Sequence, residues 1–366
     1  MAWRRGAACN RSRRSISRRR SPTTCSCASC PHSAAPSASP LKPARPPSWR
    51  CTDVMAEPHG CVAFEQVHAA FLAACRLDVE TPKPGNVSVQ SEGHGMRAAQ
   101  FIASSEVTVD ALLTRGAPVG QRVLDAVTRT RDAAGCNTNL GILLLVAPLA
   151  AALEDSARPL SADAWRVATE RVLKRLDIDD ARLAYRAIAL ANPGGLGEAP
   201  EQPVHSAPTV NLRDAMTLAA ARDSIARQYA EGFRDVFETG LAAFREMPAN
   251  QPRSATLNVF LTFLANWPDS HIVRKQGIAV AQSVTLAARE RHAQWRHALA
   301  QNRLDEAAQP LDAWDAELKA SAINPGTSAD LTVATLFVAG CLAPACNAGP
   351  IPPRTREPRT GTDPVS

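Results

Sequence analysis

The sequence predicts an all-α fold: a single large helical domain with buried central helices, preceded by a disordered extension and followed by a flexible tail. Three observations point there. From Phe64 onward, Phe64, Val67, His68, Phe71, Leu72, Cys75 and Val79 recur at the three- and four-residue spacing of one helix face. No stretch of useful length alternates apolar and polar residues as a half-buried strand does. Aromatic residues make up 5% of a chain that is 45% hydrophobic, and alanine is abundant, which suits close-packed helices.

The first 54 residues stand apart. They hold eleven of the 41 Lys/Arg but one of the 35 Asp/Glu, so they carry +10 while the remainder carries −4. The body is mildly acidic, which argues against a general nucleic-acid binder. The segment is rich in Arg, Ser and Pro without apolar periodicity, so disorder is expected. It lacks the apolar run of a secretory signal and is similar to an organellar transit peptide. The preferred reading is that translation starts at Met55. Five of the ten cysteines fall in this segment and the rest are scattered, the pattern of reduced thiols in a cytoplasmic protein. Cys25, Cys27, Cys30 and His32 have zinc-like spacing but no flanking apolar residues to fold around a metal.

The domain expected over 55–344 begins with the helix that stops at Thr81-Pro82-Lys83-Pro84-Gly85. Helices follow at about 97–114, 120–134, 138–153, 161–175 and 179–190, then a long break through Pro193 to Pro208. They resume at about 211–247, 252–266, 271–301, 311–320 and 328–342, and the tail 345–366 is Pro/Arg/Thr-rich. The apolar run Leu140 to Leu153 is fourteen residues long with Pro148 inside it. That is short of the ~20 residues that cross a bilayer, so it reads as a core helix, with no membrane partner.

Four segments could carry chemistry. In the first, prolines on both sides of Lys83 hold Thr81 and Lys83 extended, and Gly85 is free to turn. A stiff loop presenting one cation suits an anion, although alone it reads as a helix stop with a solvated lysine. Glu80 just before it is a reserve carboxylate. His94 follows between two glycines. In the second, Asn137, Thr138 and Asn139 precede the buried helix. Any of them can cap it, and a helix start with unpaired amides suits phosphate. In the third, Asp269 or Ser270 caps a helix that sets His271, Arg274 and Lys275 on one face, to grip an anion or sit solvated. In the fourth, Thr327 or Ser328 caps the last helix with Asp330 in its first turn. Such an acid complements the helix dipole or binds Mg²⁺.

Together these segments resemble the triphosphoribosyl-dephospho-CoA synthase family, over roughly residues 64–343. The family carries a TPKPG loop followed by a histidine, an Asn-Thr motif closed by glycine at a buried helix, an aspartate ahead of an arginine, and a late G-S-A-D motif. Pro193-Gly194-Gly195-Leu196-Gly197 resembles its glycine loop. The resemblance implies an all-α, cytoplasmic enzyme for cofactor biosynthesis. It would move a 5-triphosphoribosyl group from ATP to the 2′-hydroxyl of 3′-dephospho-CoA, with release of adenine. The chain departs from the pattern where a His-Lys pair is usual, at Asn139 and Leu140, and at Ser88 and Gly95, where acids are usual. It resembles a divergent branch associated with pterin-linked one-carbon metabolism, whose acceptor or donor differs.

The expected roles follow. Lys83, Asn137, Thr138, Asn139, Arg274, Lys275 and Ser328 hold the nucleotide, Asp269 and Asp330 bind Mg²⁺, and His94, His271 or Glu80 moves protons. Two other classes fit the same residues. One is a helical ATP- or polyphosphate-dependent hydrolase or kinase, and the other is a non-catalytic nucleotide- or cofactor-binding protein. The partners expected are small molecules, with no nucleic acid and with room for a homo-oligomer.

Overall fold

The computed structural model describes residues 63–154, 156, 160–191 and 206–343. The extension, its Cys/His spacing, the start at Met55, the Pro193 glycine loop, the limits at 55 and 344, and the tail lie outside the described residues.

Among the described residues the chain forms fourteen α-helices and one π-helical segment. There is no strand, only an isolated bridge between Gly93 and Met96. The helices are α1 Phe64–Glu80, α2 Ala98–Leu112, α3 Val119–Ala134, α4 Leu140–Leu153, α5 Ala162–Arg175, α6 Ile178–Ala191 and α7 Leu212–Ala219. Then come α8 Ser224–Glu231, the π segment Asp235–Gly240, α9 Leu241–Arg245, α10 Pro252–Asn266 and α11 Ser270–Gln276. The last three are α12 Ile278–Ala300, α13 Leu304–Ala320 and α14 Gly326–Leu342.

Three expected helices differ. The span 211–247 is broken where Asp223 accepts from the amides of Ile225 and Ala226 to start α8, and again where Gly232 turns left-handed at φ 65°. The span 271–301 is broken at Gly277, whose φ of 90° no helix can hold. Conversely, α13 starts at Leu304 and runs through Pro310, which removes one amide donor without ending the helix.

α4 is the centre. All but two of its fourteen residues are buried, each large aliphatic side chain contributing about 1.5–3 kcal/mol by leaving water. Pro148 cannot donate to the carbonyl four residues earlier, at Leu144. Tyr229 of α8 fills that vacancy, its hydroxyl donating to Leu144 O at 2.6 Å. Trp165 of α5 likewise donates Nε1–H to Leu149 O at 3.0 Å. α14 packs against α1, α4 and α10, with Phe337 edge-on to Phe71 and to Trp165. A second apolar cluster joins α10, α12 and α13 around Trp295 and Trp314. Among the described residues, no helix is long and apolar enough to cross a membrane. Cys75 and Cys341 are buried and Cys136 is exposed.

One histidine in this second cluster makes stability depend on pH. His292 is buried against Asn258, and its Nε2 lies 2.8 Å from the amide oxygen. Burial lowers its pKa from 6.5 to about 4, with the Arg296 charge adding to the fall. The unfolded chain therefore takes up a proton before the folded one does. Stability is then lost as pH falls from about 6.5 toward about 4. Urea midpoints at pH 7 and pH 5 should differ less in His292→Gln than in the parent.

Candidate active site

A cleft of about 1290 Å³ opens beside the N-terminus of α4. That exceeds the roughly 300–1000 Å³ of a site for one small ligand. His94, the segment from Asn137 to Gly141, His271, Arg274, Lys275, Gly326 and Asp330 all line it. The four segments singled out in the sequence therefore converge on one cleft, the first of them through His94 and not through Thr81 to Gly85. α3, α6 and α7 contribute apolar groups, among them Val127, Ile188 and Met216.

The proline loop is extended at Thr81 (φ −97°, ψ 117°) and turns at Gly85 (φ 78°), as its residues dictate. Gly85 is fixed from two sides. Its amide donates to Asp315 Oδ1 at 2.8 Å, and a Cβ there would stand 2.8 Å from Pro325 and 2.9 Å from Ile323 O. Its carbonyl accepts from His94 Nε2 at 2.9 Å. A carbonyl cannot donate, so Nε2 carries the proton. Ser88, at a departure from the family pattern, is buried in a turn with Ser91.

Lys83 does not present its charge to the cleft. The residue is 1% exposed. Its ammonium donates to the carbonyls of Asp78 and Thr81 and lies 3.1 Å from Asp78 Oδ1. The prolines aim the side chain back under α1, so the expectation of a phosphate-binding Lys83 is corrected. Burial pushes the Lys83 ammonium down and the Asp78 carboxyl up, and the mutual attraction opposes both shifts. Glu80 also lies off the cleft, 3.8 Å from Arg253 on the surface.

At the mouth of α4 the three polar residues divide their work. Asn137 Oδ1 accepts from the Leu140 amide at 3.1 Å and is the capping group. Thr138 Oγ1 pairs with Ser104 Oγ at 2.7 Å. Asn139 Oδ1 accepts from Thr130 Oγ1 at 2.9 Å, while its Nδ2, covered and on the cleft wall, has no partner.

Asp269 and Ser328 are structural. Asp269 Oδ1 accepts from the amides of His271 and Ile272, and Oδ2 accepts from the Ser328 amide at 2.7 Å and its hydroxyl at 2.8 Å. With four donors on two buried oxygens, Asp269 ties the start of α11 to that of α14 and has no lone pair to spare for a metal. Ser328 is spent on the same contact and does not line the cleft, so both expected roles are corrected. α14 begins at Gly326, which puts Asp330 in its second turn instead of its first.

Arg274 Nη1 donates to Asp223 Oδ2 at 2.8 Å, and its Nε is covered without a partner. Lys275 is exposed on the same wall. His271 is largely shielded. Burial, with Arg274, Lys275 and His94 nearby, lowers its pKa from 6.5 to about 4, so it is neutral at neutral pH. Asp330 is half-buried with no hydrogen bond or ion pair among the described residues. Burial first, then the carboxylates of Asp269, Asp78 and Asp223, push its carboxyl well above the ordinary range, against the pull of Arg274.

Sequence reasoning missed Asp78, Asn86, Arg222, Asp223 and Asn324, all of which line the cleft. A signal existed for Asp78, an acid on the same helix face as Phe71, Ala74 and Cys75, all buried. Asn86 and Asn324 join the loop to the α13–α14 turn by a 3.0 Å hydrogen bond, which no local pattern announces.

Among solved structures, the chain is similar to one from Archaeoglobus fulgidus described as a triphosphoribosyl-dephospho-CoA synthase. Identity is 22%, the TM-score is 0.50, and the match covers 66% of this chain and 96% of that one. At that identity it supports the fold. No curated protein matches the chain. The model of the CitG family, ATP:dephospho-CoA triphosphoribosyl transferase, matches residues 64–347. These residues hold every helix described above, and the chain belongs to the family of ATP:dephospho-CoA triphosphoribosyl transferases.

Proposed function

We propose that the cleft moves the 5-triphosphoribosyl group of ATP onto a hydroxyl of 3′-dephospho-CoA, or of a related acceptor, and releases adenine for the synthesis of a prosthetic group. One observation carries this reading. Segments far apart in sequence meet in a cleft large enough for two substrates, and its wall holds two covered, unpaired N–H donors, Asn139 Nδ2 and Arg274 Nε. Covered donors without partners cost stability until an acceptor reaches them, and phosphate oxygens are such acceptors.

The C1′–N9 bond of ATP breaks as the acceptor oxygen bonds to C1′; the hydroxyl gives up one proton and adenine gains one. Positive charge builds on the ribose, so the work of the site is positioning and electrostatics. Arg274, Lys275 and Asn139 hold the triphosphate, with Arg222 exposed on the same cleft. His271, kept neutral, and His94, with its Nε2–H fixed on Gly85, hydrogen-bond to the leaving base. The apolar groups of α3, α6 and α7 receive the uncharged parts of the substrates.

Among the described residues no three His, Cys, Asp or Glu side chains group to hold a metal ion. A Mg²⁺ ion still fits as a partner of ATP, because Mg²⁺ is commonly held by one or two carboxylates together with substrate phosphates. Asp330 is the residue to hold it. Its carboxylate overhangs Gly141 at the start of α4, where a phosphate would meet like charge. The bound ion would neutralise that repulsion.

The test is to incubate the protein with Mg²⁺-ATP and dephospho-CoA and separate the bases by chromatography. Free adenine, dependent on the acceptor, is expected. Release of ADP or pyrophosphate without adenine would favour hydrolase or kinase chemistry instead.

A further inference from the structure

We propose that Asp78 is a catalytic residue that takes the proton of the acceptor hydroxyl, and that Lys83 is its positioning residue; this rests on the transfer reading above. Asp78 is 5% exposed and lines the cleft. It sits in the last turn of α1, where the helix dipole disfavours an anion. It caps no helix. Its Oδ1 is covered and accepts no well-aligned hydrogen bond, although Lys83 Nζ stands 3.1 Å away. That leaves Oδ2 as the oxygen available on the cleft wall. Oδ1 is thus the counter-charge of the buried Lys83 ammonium, and the second oxygen is not needed for that pairing.

The Lys83 ammonium is turned to the protein and away from any substrate. An ammonium has three N–H bonds, and three oxygens surround this one: the carbonyls of Asp78 and Thr81 and the Asp78 carboxylate. Its side chain is fully covered. Pro82 and Pro84 fix the backbone that aims it. The lysine thus closes the carbonyl end of α1 and holds the carboxylate against the wall. The other charged groups around the pair are Asp330, whose carboxyl Asp78 helps to push up, and Lys319 and Asp315, which act on Lys83.

In the reaction the hydroxyl proton passes to Asp78 Oδ2 while the oxygen bonds to C1′ and the C1′–N9 electron pair leaves with adenine. Asp78 then returns the proton through solvent, and adenine gains one, so the balance closes. A positioned base of this kind contributes about 10²–10⁴-fold.

Asp78→Asn, Lys83→Met and the double variant separate this role from phosphate binding. Adenine release gives kcat, and calorimetry gives the affinity for Mg²⁺-ATP. Asp78→Asn should lose about 10²–10⁴ in kcat and keep the KM for the acceptor. The double variant should turn over no more slowly than Asp78→Asn and bind Mg²⁺-ATP equally well. Lys83→Met or Asp78→Asn alone leaves a buried charge unpaired and risks unfolding, whereas the double variant replaces both charges with neutral groups, and thermal unfolding of each variant shows which are folded when assayed. If the double variant binds Mg²⁺-ATP tenfold more weakly than Asp78→Asn, Lys83 holds phosphate and the proposal fails. It fails equally if Asp78→Asn turns over like the parent. A parent protein that releases no adenine would end the transfer reading itself, and the binding comparison would still decide the role of Lys83.

Discussion

Gly141→Ala is expected to lower turnover by about 10²-fold, the scale of a roughly 1 Å misplacement, and to cost about 1–3 kcal/mol, the scale of overpacking. Propensity alone predicts the opposite, because alanine is favoured over glycine inside a helix by up to ~1 kcal/mol. Packing decides the sign. A Cβ on Gly141 would overlap the Asp330 carboxylate and stand 2.8 Å from Ile225 Cδ1. α4, α8 and α14 meet at that point, so the side chains of Asp330 and Ile225 must shift to admit it. Asp330 would be pushed from the mouth of α4, and with it the ion and phosphate it is proposed to hold. Thermal unfolding together with adenine release checks this. A variant with a raised midpoint and full turnover would show that the contact is slack.

Asp330→Asn should act in opposite directions on stability and activity. The amide keeps the shape and removes a half-buried charge that finds no partner among the described residues. A gain in stability is expected, because burying an unpaired charge costs more than burying a neutral amide. The pH dependence fixes the sign. Burial and the carboxylates of Asp269, Asp78 and Asp223 raise the Asp330 pKa above 3.8. Above that ordinary value the folded state therefore binds more protons than the unfolded one. The parent loses stability as pH rises through the folded pKa, so the advantage of the variant should be larger at pH 8 than at pH 5 in metal-free buffer. Turnover should fall by about 10²–10³-fold, the scale of losing one preorganised electrostatic group. A variant that is less stable at pH 8, or equally active, contradicts the placement of Asp330.

Much of the fold was legible because helix spacing and caps are local. The face from Phe64 to Val79 marked α1, Asp269 marked the start of α11, and the apolar run from Leu140 marked a helix buried nearly all round. The breaks at Gly232 and Gly277 were missed because a single glycine is weak evidence until its φ is known. The site was legible as a set of segments and not as a set of roles. Thr81-Pro82-Lys83-Pro84-Gly85 announces a stiff loop, but which way the lysine points is decided by Asp78 and two carbonyls beneath α1. Asp269 and Ser328 are 59 residues apart, so no local pattern reveals that they satisfy each other. The departure at Asn139 acquires meaning only from its covered, unpaired amide.

Triphosphoribosyl transfer is defined by where the ribose and the base of ATP go. ATP labelled separately in the ribose and in the adenine ring, supplied with Mg²⁺ and dephospho-CoA, reports both. The ribose label should move onto the acceptor in equal number to the base label recovered as free adenine, and both should fall together in Asp330→Asn. Base and ribose labels that stay on one molecule through turnover would contradict the account.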